Sequence, residues 1–271
     1  VEMVPQAAVA LADGRVAIAG GTWEPDGWAG RLVVADPAQA AATAAWSWQP
    51  PTPRGESVAW TLATRNGDVV LLRTEQNWWV GEETTGSRVV VTALSTDPWG
   101  VRDAWVHETS RRVVSGALAS LGAAGWVAAW TEDDMSGDPD APRPRVVMAQ
   151  RLDTDLAPVG APVELDRFAI ELADASTVAA SPLPAARGPG AVVAWTRTDR
   201  VGPARLVTMR AVSVASDGVL AGPVPVFDGP LFASAQPALS VAGPDALVAL
   251  ASYDLWIERA RFLDPARMLA P

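Results

Sequence analysis

The chain has 271 residues, enough for one large all-β domain or two ordinary ones, and its 31 acidic against 21 basic residues give a formal net charge of −10. That balance opposes recognition of a phosphate backbone, which relies on a basic patch, so nucleic acid is not expected as a partner. Cysteine is absent, which removes disulfides, thiolate nucleophiles and Cys-ligated zinc, and no apolar run reaches the roughly 18 residues of a bilayer span.

Every basic residue is Arg, the mark of a GC-rich coding sequence rather than of a mechanism. The sequence begins at Val1 without a charged segment followed by an apolar one, so any secretion signal is expected to have been removed already.

Taken in chain order, the predicted elements fall into five similar units. The first opens with small residues at 6–11 and continues into an apolar run at 14–20 (GRVAIAG). A loop at 22–30 carries Trp23, Glu24, Asp26 and Trp28, then comes Arg31-Leu32-Val33-Val34 and an outer strand at 43–48. The second has small residues at 57–64 and a run at 67–73 (GDVVLLR). Its loop at 74–87 holds Glu75, Trp78, Trp79, Glu82 and Glu83, and is followed by Arg88-Val89-Val90-Val91 and an outer strand at 101–107.

The third unit repeats the order: 114–121, the run 125–131 (GWVAAWT), and a loop at 131–144 with Glu132, Asp133, Asp134, Asp138 and Asp140. Arg145-Val146-Val147-Met148 and an outer strand at 159–165 complete it. The fourth runs through 176–182, 190–196 (GAVVAWT), Arg205-Leu206-Val207-Thr208 and 220–227. The fifth runs through 237–241, 245–251 (DALVALA), a short loop with Tyr253 and Asp254, and 255–263.

Apolar runs bounded by turn residues read as buried strands, and Pro162, Pro223 and Pro225 suit outer strands, where a missing backbone donor costs least. The runs begin at residues 14, 67, 125, 190 and 245, so successive copies stand 53, 58, 65 and 55 residues apart. This period suits four-stranded antiparallel blades, and small residues suit innermost strands crowded around a channel. The expected fold is all-β: residues 1–271 form a single five-bladed β-propeller. Its last unit lacks an outer strand, which Val1 to Val4 are expected to supply, pairing beside 255–263 and closing the ring.

Through its G-x-V-x-A-W-T and R-L/V-V-V runs the chain resembles the divergent β-propeller repeats of bacterial secreted proteins and lipoproteins. The resemblance spans nearly the whole chain and implies a bacterial, extracytoplasmic setting, whether periplasmic, cell-surface or secreted. Propellers host enzymes, lectins and scaffolds alike, so function has to be read from sites.

Glycoside hydrolysis needs two carboxyl groups across a sugar bond, and in five-bladed hydrolases these typically project from inner strands. The expected inner strands here (AAVAL, SVAWTLAT, VSGALASL, STVAASP and PALSV) contain neither Asp nor Glu, and Glu56 precedes the second. His107, the only histidine, falls on an outer strand, which excludes a His-rich metal site and leaves no ordinary Ser-His-Asp triad. Catalytic residues are therefore not expected, and the leading expectation is a noncatalytic module for protein interaction or assembly. A lectin-like, carbohydrate-binding propeller is the alternative, and a glycoside hydrolase-like enzyme the third reading.

The expected binding surface comprises Trp23, Glu24, Asp26, Trp28, Trp78, Trp79, Glu82, Glu83, Asp133, Asp134 and Tyr253. Loop aromatics beside carboxylates can stack on a sugar ring or anchor a protein partner. No cofactor is expected. The segment holding Asp133, Asp134, Asp138 and Asp140 offers oxygen ligands for calcium but lacks the D-x-[DN]-x-[DN]-G spacing. Trp130 and Trp195, at one position of the repeat, are expected in the core.

Overall fold

Each small-residue run and the apolar run after it fold into an antiparallel hairpin, and the repeated glycine between them turns the chain. Gly14, Gly67 and Gly125 all have positive φ, at 87°, 92° and 109°, a region that L side chains avoid. At Gly125 a Cβ would also stand 2.2 Å from the Leu152 carbonyl oxygen, so that copy is fixed by close approach as well.

In this computed structural model the described residues are 3–24, 27–39, 41–48, 55–65, 67–77, 86–96, 99–136, 142–170, 177–183, 187–201, 204–218, 220–227, 231, 236–241, 247–253 and 256–263. They form strands and one 3-10 turn at Gly122–Ala124. No helix is long and apolar enough to cross a membrane.

The first sheet orders β1 (Val4–Ala10), β2 (Val16–Glu24), β3 (Gly27–Asp36) and β4 (Ala41–Trp48) side by side. The second does the same with β5 (Gly55–Arg65), β6 (Asp68–Asn77), β7 (Ser87–Thr96) and β8 (Trp99–Thr109). The third holds β9 (Arg112–Ser120), β10 (Trp126–Asp133), β11 (Arg143–Leu152) and β12 (Pro158–Ile170). The fourth holds β13 (Val178–Pro182), β14 (Gly190–Val201), β15 (Ala204–Ala215) and β16 (Leu220–Pro225). The last has three strands: β17 (Gln236–Val241), β18 (Leu247–Tyr253) and β19 (Trp256–Leu263).

The small-residue runs are thus the first strands, the apolar runs the second, and the Arg signatures lie on the third. Two expectations are corrected. Four complete four-stranded blades are present rather than five, since the last sheet has no fourth strand among the described residues. Val4 does not extend that sheet: it starts β1 and pairs with Gly21, because its backbone continues the ladder that joins Pro5 to Gly20 and Ala7 to Ala19. Val1 and Glu2 lie outside the described residues. Ring closure by the N-terminal strand is therefore not borne out.

By internal contacts the chain divides into two compact units, Val1–Gly116 and Ala117–Pro271. The first is built around Ala17, Ala19, Leu32, Trp60, Val69 and Leu71. The second has a core of Leu121, Val127, Val147, Phe168, Val193 and Trp195. β10 is buried at all eight positions, which explains its near-continuous apolar sequence. Trp130 and Trp195 are both 0% exposed, as expected of core side chains. Each indole N–H is satisfied: Trp130 donates to Glu132 at 2.7 Å, and Trp195 to Asp166 at 2.9 Å.

Candidate functional site

One end of the second sheet is polar across all four strands. Glu56 pairs with Gln76, Gln76 with Ser87, and Ser87 with Thr109, which makes one rung. The next rung runs Ser57, Glu75, Arg88 and Glu108. On β6 the stretch Arg73-Thr74-Glu75-Gln76 is almost wholly removed from water. Charges survive such burial only when paired and hydrogen-bonded.

Here they are paired. Glu75 accepts from Arg73 Nε at 3.0 Å and from Arg88 Nε at 2.9 Å, with a further short contact from the Arg88 terminal nitrogen. Arg73 also grips Asp103 with both terminal nitrogens, each at 3.0 Å, and contacts Thr92. The Thr92 hydroxyl in turn donates to Asp103 at 2.7 Å. Burial acts to raise the Asp103 pKa, but the hydrogen bond and charge of Arg73, aided by Thr92 and Arg88, prevail and hold its carboxyl below the usual range. The Arg73 guanidinium lies 5.7 Å from the centroid of the Trp46 ring, within cation–π range.

This rung is tied to the start of β9. The buried Gln76 side chain donates to the Val113 carbonyl at 2.5 Å and accepts from Arg112 Nε at 3.2 Å. Farther along, Thr61 donates to the Gly116 carbonyl at 3.1 Å. Arg112 and Val113 thus join the end of the second sheet at which Glu56 pairs with Gln76. The expectation that inner strands carry no carboxylate is corrected here: β5 begins at Gly55 and takes in Glu56. The ladder extends beyond the small-residue run, as far as Gly55 paired with Asn77.

The expected binding residues are distributed as follows. Trp23 and Trp28 are directly paired across β2 and β3, and Glu24 pairs with Gly27, so 22–30 is mostly the end of a hairpin rather than a loop. Tyr253 likewise pairs with Trp256. Asp133 ends β10 rather than lying in a loop. Only 3% exposed, it accepts from Arg145 Nε at 2.5 Å and Nη2 at 2.7 Å. Asp134 accepts from the Ser136 hydroxyl at 2.6 Å and donates its own N–H to the Pro144 carbonyl. Asp26, Trp78, Trp79, Glu82, Glu83, Asp138 and Asp140 lie outside the described residues. Among the described residues no three His, Cys, Asp or Glu side chains gather as metal ligands. His107 is on the outermost strand β8 and stacks on Trp105 at 6.0 Å.

The repeated Arg signature also finds its meaning here. Arg88 faces Glu75 and Arg145 faces Asp133 at matching points of the second and third sheets, so in these two copies the Arg neutralises a buried carboxylate on the preceding strand.

No family matches the sequence, and no curated protein is similar to it. Solved structures are similar in shape. An α-L-arabinanase of Penicillium chrysogenum, complexed with arabinobiose, aligns over 94% of this chain and 73% of its own at 13% identity and a TM-score of 0.53. A GH43 endo-arabinanase from Bacillus licheniformis aligns over 96% and 91% at 13% identity, with a TM-score of 0.43. A GH93 α-L-arabinofuranosidase of Fusarium graminearum with arabinobiose aligns over 97% and 93% at 9% identity, with a TM-score of 0.45.

At such identities the likeness concerns fold alone, and the Penicillium structure carries it. The expectation that this is not an enzyme is corrected to this extent: the fold the chain shares is one that an arabinanase also has. The chain is an all-β protein with the β-propeller fold, built of four-stranded antiparallel blades.

Proposed function

We propose that this propeller is a glycoside hydrolase acting on furanose-rich glycans of the arabinan class. The observation that carries the reading is Glu56 on the inner strand β5, beside a buried polar rung, in a fold shared with an arabinanase. Hydrolysis requires a second carboxyl group, roughly 5–9 Å from the first according to stereochemical outcome. Glu82 and Glu83 follow in the sequence after Asn77, at the polar end of the second sheet where Glu56 pairs with Gln76, and we assign the second group to that pair. Trp78 and Trp79 in the same stretch of sequence supply ring faces on which a sugar stacks.

In this scheme one carboxyl protonates the departing glycosidic oxygen, and the other activates water or attacks the anomeric carbon. Polymeric glycans do not cross membranes unaided, which fits work outside a bacterial cytoplasm by a propeller of the secreted or lipoprotein kind. The test is product release from a panel of neutral and acidic plant-type glycans, followed by chromatography. Short arabino-oligosaccharides that disappear on Glu56→Gln substitution are expected, and no release from any glycan contradicts the proposal.

The paired Trp23 and Trp28 favour a second reading, a glycan-binding module. Binding by titration calorimetry without turnover would select it.

A further inference from the structure

We propose that the outer rim of the face between the third and fourth sheets is a docking site for an extended acidic peptide segment of a partner protein. The site is independent of the hydrolase reading.

Both sheets belong to the unit Ala117–Pro271 and pack on each other. Val127, Val147, Val193 and Val212 share one core, and Asp166 on β12 accepts from Trp195 and Arg197 on β14. Ladder partners point to the same side of a sheet, so the pairings carry this face outward. On the third sheet it passes from Val127 to Arg151 and Val159, and from Ala149 to Val163. On the fourth it passes from Trp195 to Arg210, and from Val214 to Leu220.

Two cations on this face lack partners. Arg151 and Arg210 make no side-chain hydrogen bond or ion pair among the described residues, and the Nε of each is buried. Their terminal nitrogens are not enclosed, so each guanidinium presents its fork to solvent, the geometry that takes a carboxylate. The Arg151 head is seated against the turn between β15 and β16, with Nη1 at 3.1 Å from where a Cβ on Gly218 would stand. Asp166 does not neutralise either cation, being taken up by Arg197.

Between the two forks the rim is aliphatic. Val159, Val163 and Leu220 are 39%, 47% and 37% exposed, three of the five large apolar side chains so exposed among the described residues. Phe168 and Trp195, the aromatic residues of this face among those described, are buried, which leaves a sugar no ring face to stack on. Aliphatic peptide side chains find partners of their own kind here. Arg210 and Val214, the partner of Leu220, are separated along β15 by roughly 13 Å of strand rise, and Arg151 lies beyond Leu220, by Gly218. Carboxylates that reach both forks therefore sit about four to six residues apart on an extended chain.

The experiment is fluorescence anisotropy of labelled synthetic peptides on the full chain. Each peptide carries two aspartates about four to six residues apart, with valine at alternate positions between them, and is compared with its asparagine counterpart. Wild type is expected to bind the best-spaced acidic peptide at least about tenfold more tightly than the asparagine form. Arg151→Gln and Arg210→Gln should each remove most of that preference with the melting temperature unchanged. Arg151→Lys and Arg210→Lys, which keep the charge but not the fork, should retain part of it and decide the matter where a Gln variant fails to fold. Absence of binding at every spacing, or a preference that survives both substitutions, would overturn the site. Tighter binding of a polygalacturonate fragment, lost in the same variants, would overturn the peptide assignment. Neither result touches the hydrolase reading, since glycan release by Arg151→Gln should match wild type.

Discussion

The second and third sheets share a plan, and they fill two successive positions of the same run in different ways. Where the third has Trp130 and Thr131, the second has Leu72 and Arg73 in the corresponding run. Trp130 fills space and settles its single polar atom on Glu132. Arg73 brings a charge inside, and with it Glu75, Thr92, Asp103 and Arg88. Along β10 the third sheet encloses the ion pair of Asp133 with Arg145 and the Glu132 carboxylate bonded by Trp130, and from Trp126 to Trp130 it is apolar. The comparison teaches that the repeat tolerates a polar interior only as a closed set of partners, and that the second sheet spends this tolerance at the end bearing Glu56.

The largest effect that would break the comparison is in the apolar copy. Trp130→Ala should cost roughly 3–5 kcal/mol in chemical denaturation, because a large side chain leaves a cavity and Glu132 loses its donor. A loss below about 1 kcal/mol would mean that bulk at this position is not what holds the sheet.

Next comes the enclosed pair. Arg145→Leu alone should cost about 3–5 kcal/mol by stranding Asp133, whereas Arg145→Leu with Asp133→Leu should recover most of that loss. Equal losses in the single and double variants would show that the pair contributes through shape rather than charge.

The smallest effect is expected at Asp103, whose side chain is 48% exposed. Its carboxyl is held below the ordinary range, so its contribution is complete above the unfolded value near pH 4 and is lost as pH falls through the lower folded value. Asp103→Asn should therefore reduce the melting temperature slightly at pH 7 and leave it unchanged at the acid end. A constant difference at every pH would remove the ionised carboxyl from the account.

Most of the strand order was legible in the sequence because period-bearing residues have local causes. The repeated glycines mark turns with positive φ, and the small residues mark inner strands. What was not legible depends on partners across strands. Residues 131–133 look like a loop because they are polar, but Arg145 neutralises Asp133 and lets β10 continue. Trp23 and Trp28 look like loop aromatics because their pairing is a matter of register. Glu56 stands outside the run of small residues at 57–64, yet the ladder with β6 takes it in and runs on to Asn77. The closure expected of Val1 to Val4 is another matter of partners: Val4 is taken up by the hairpin it shares with Gly21.

The central claim, that the Glu56 end performs glycan hydrolysis, is tested most directly by the initial rate of Glu56→Gln against wild type on the best arabinan-class substrate. The account predicts a fall of at least about 100-fold, the scale of one positioned carboxyl, with the melting temperature unchanged. A rate within about threefold of wild type, on a substrate that wild type demonstrably cleaves, would contradict it.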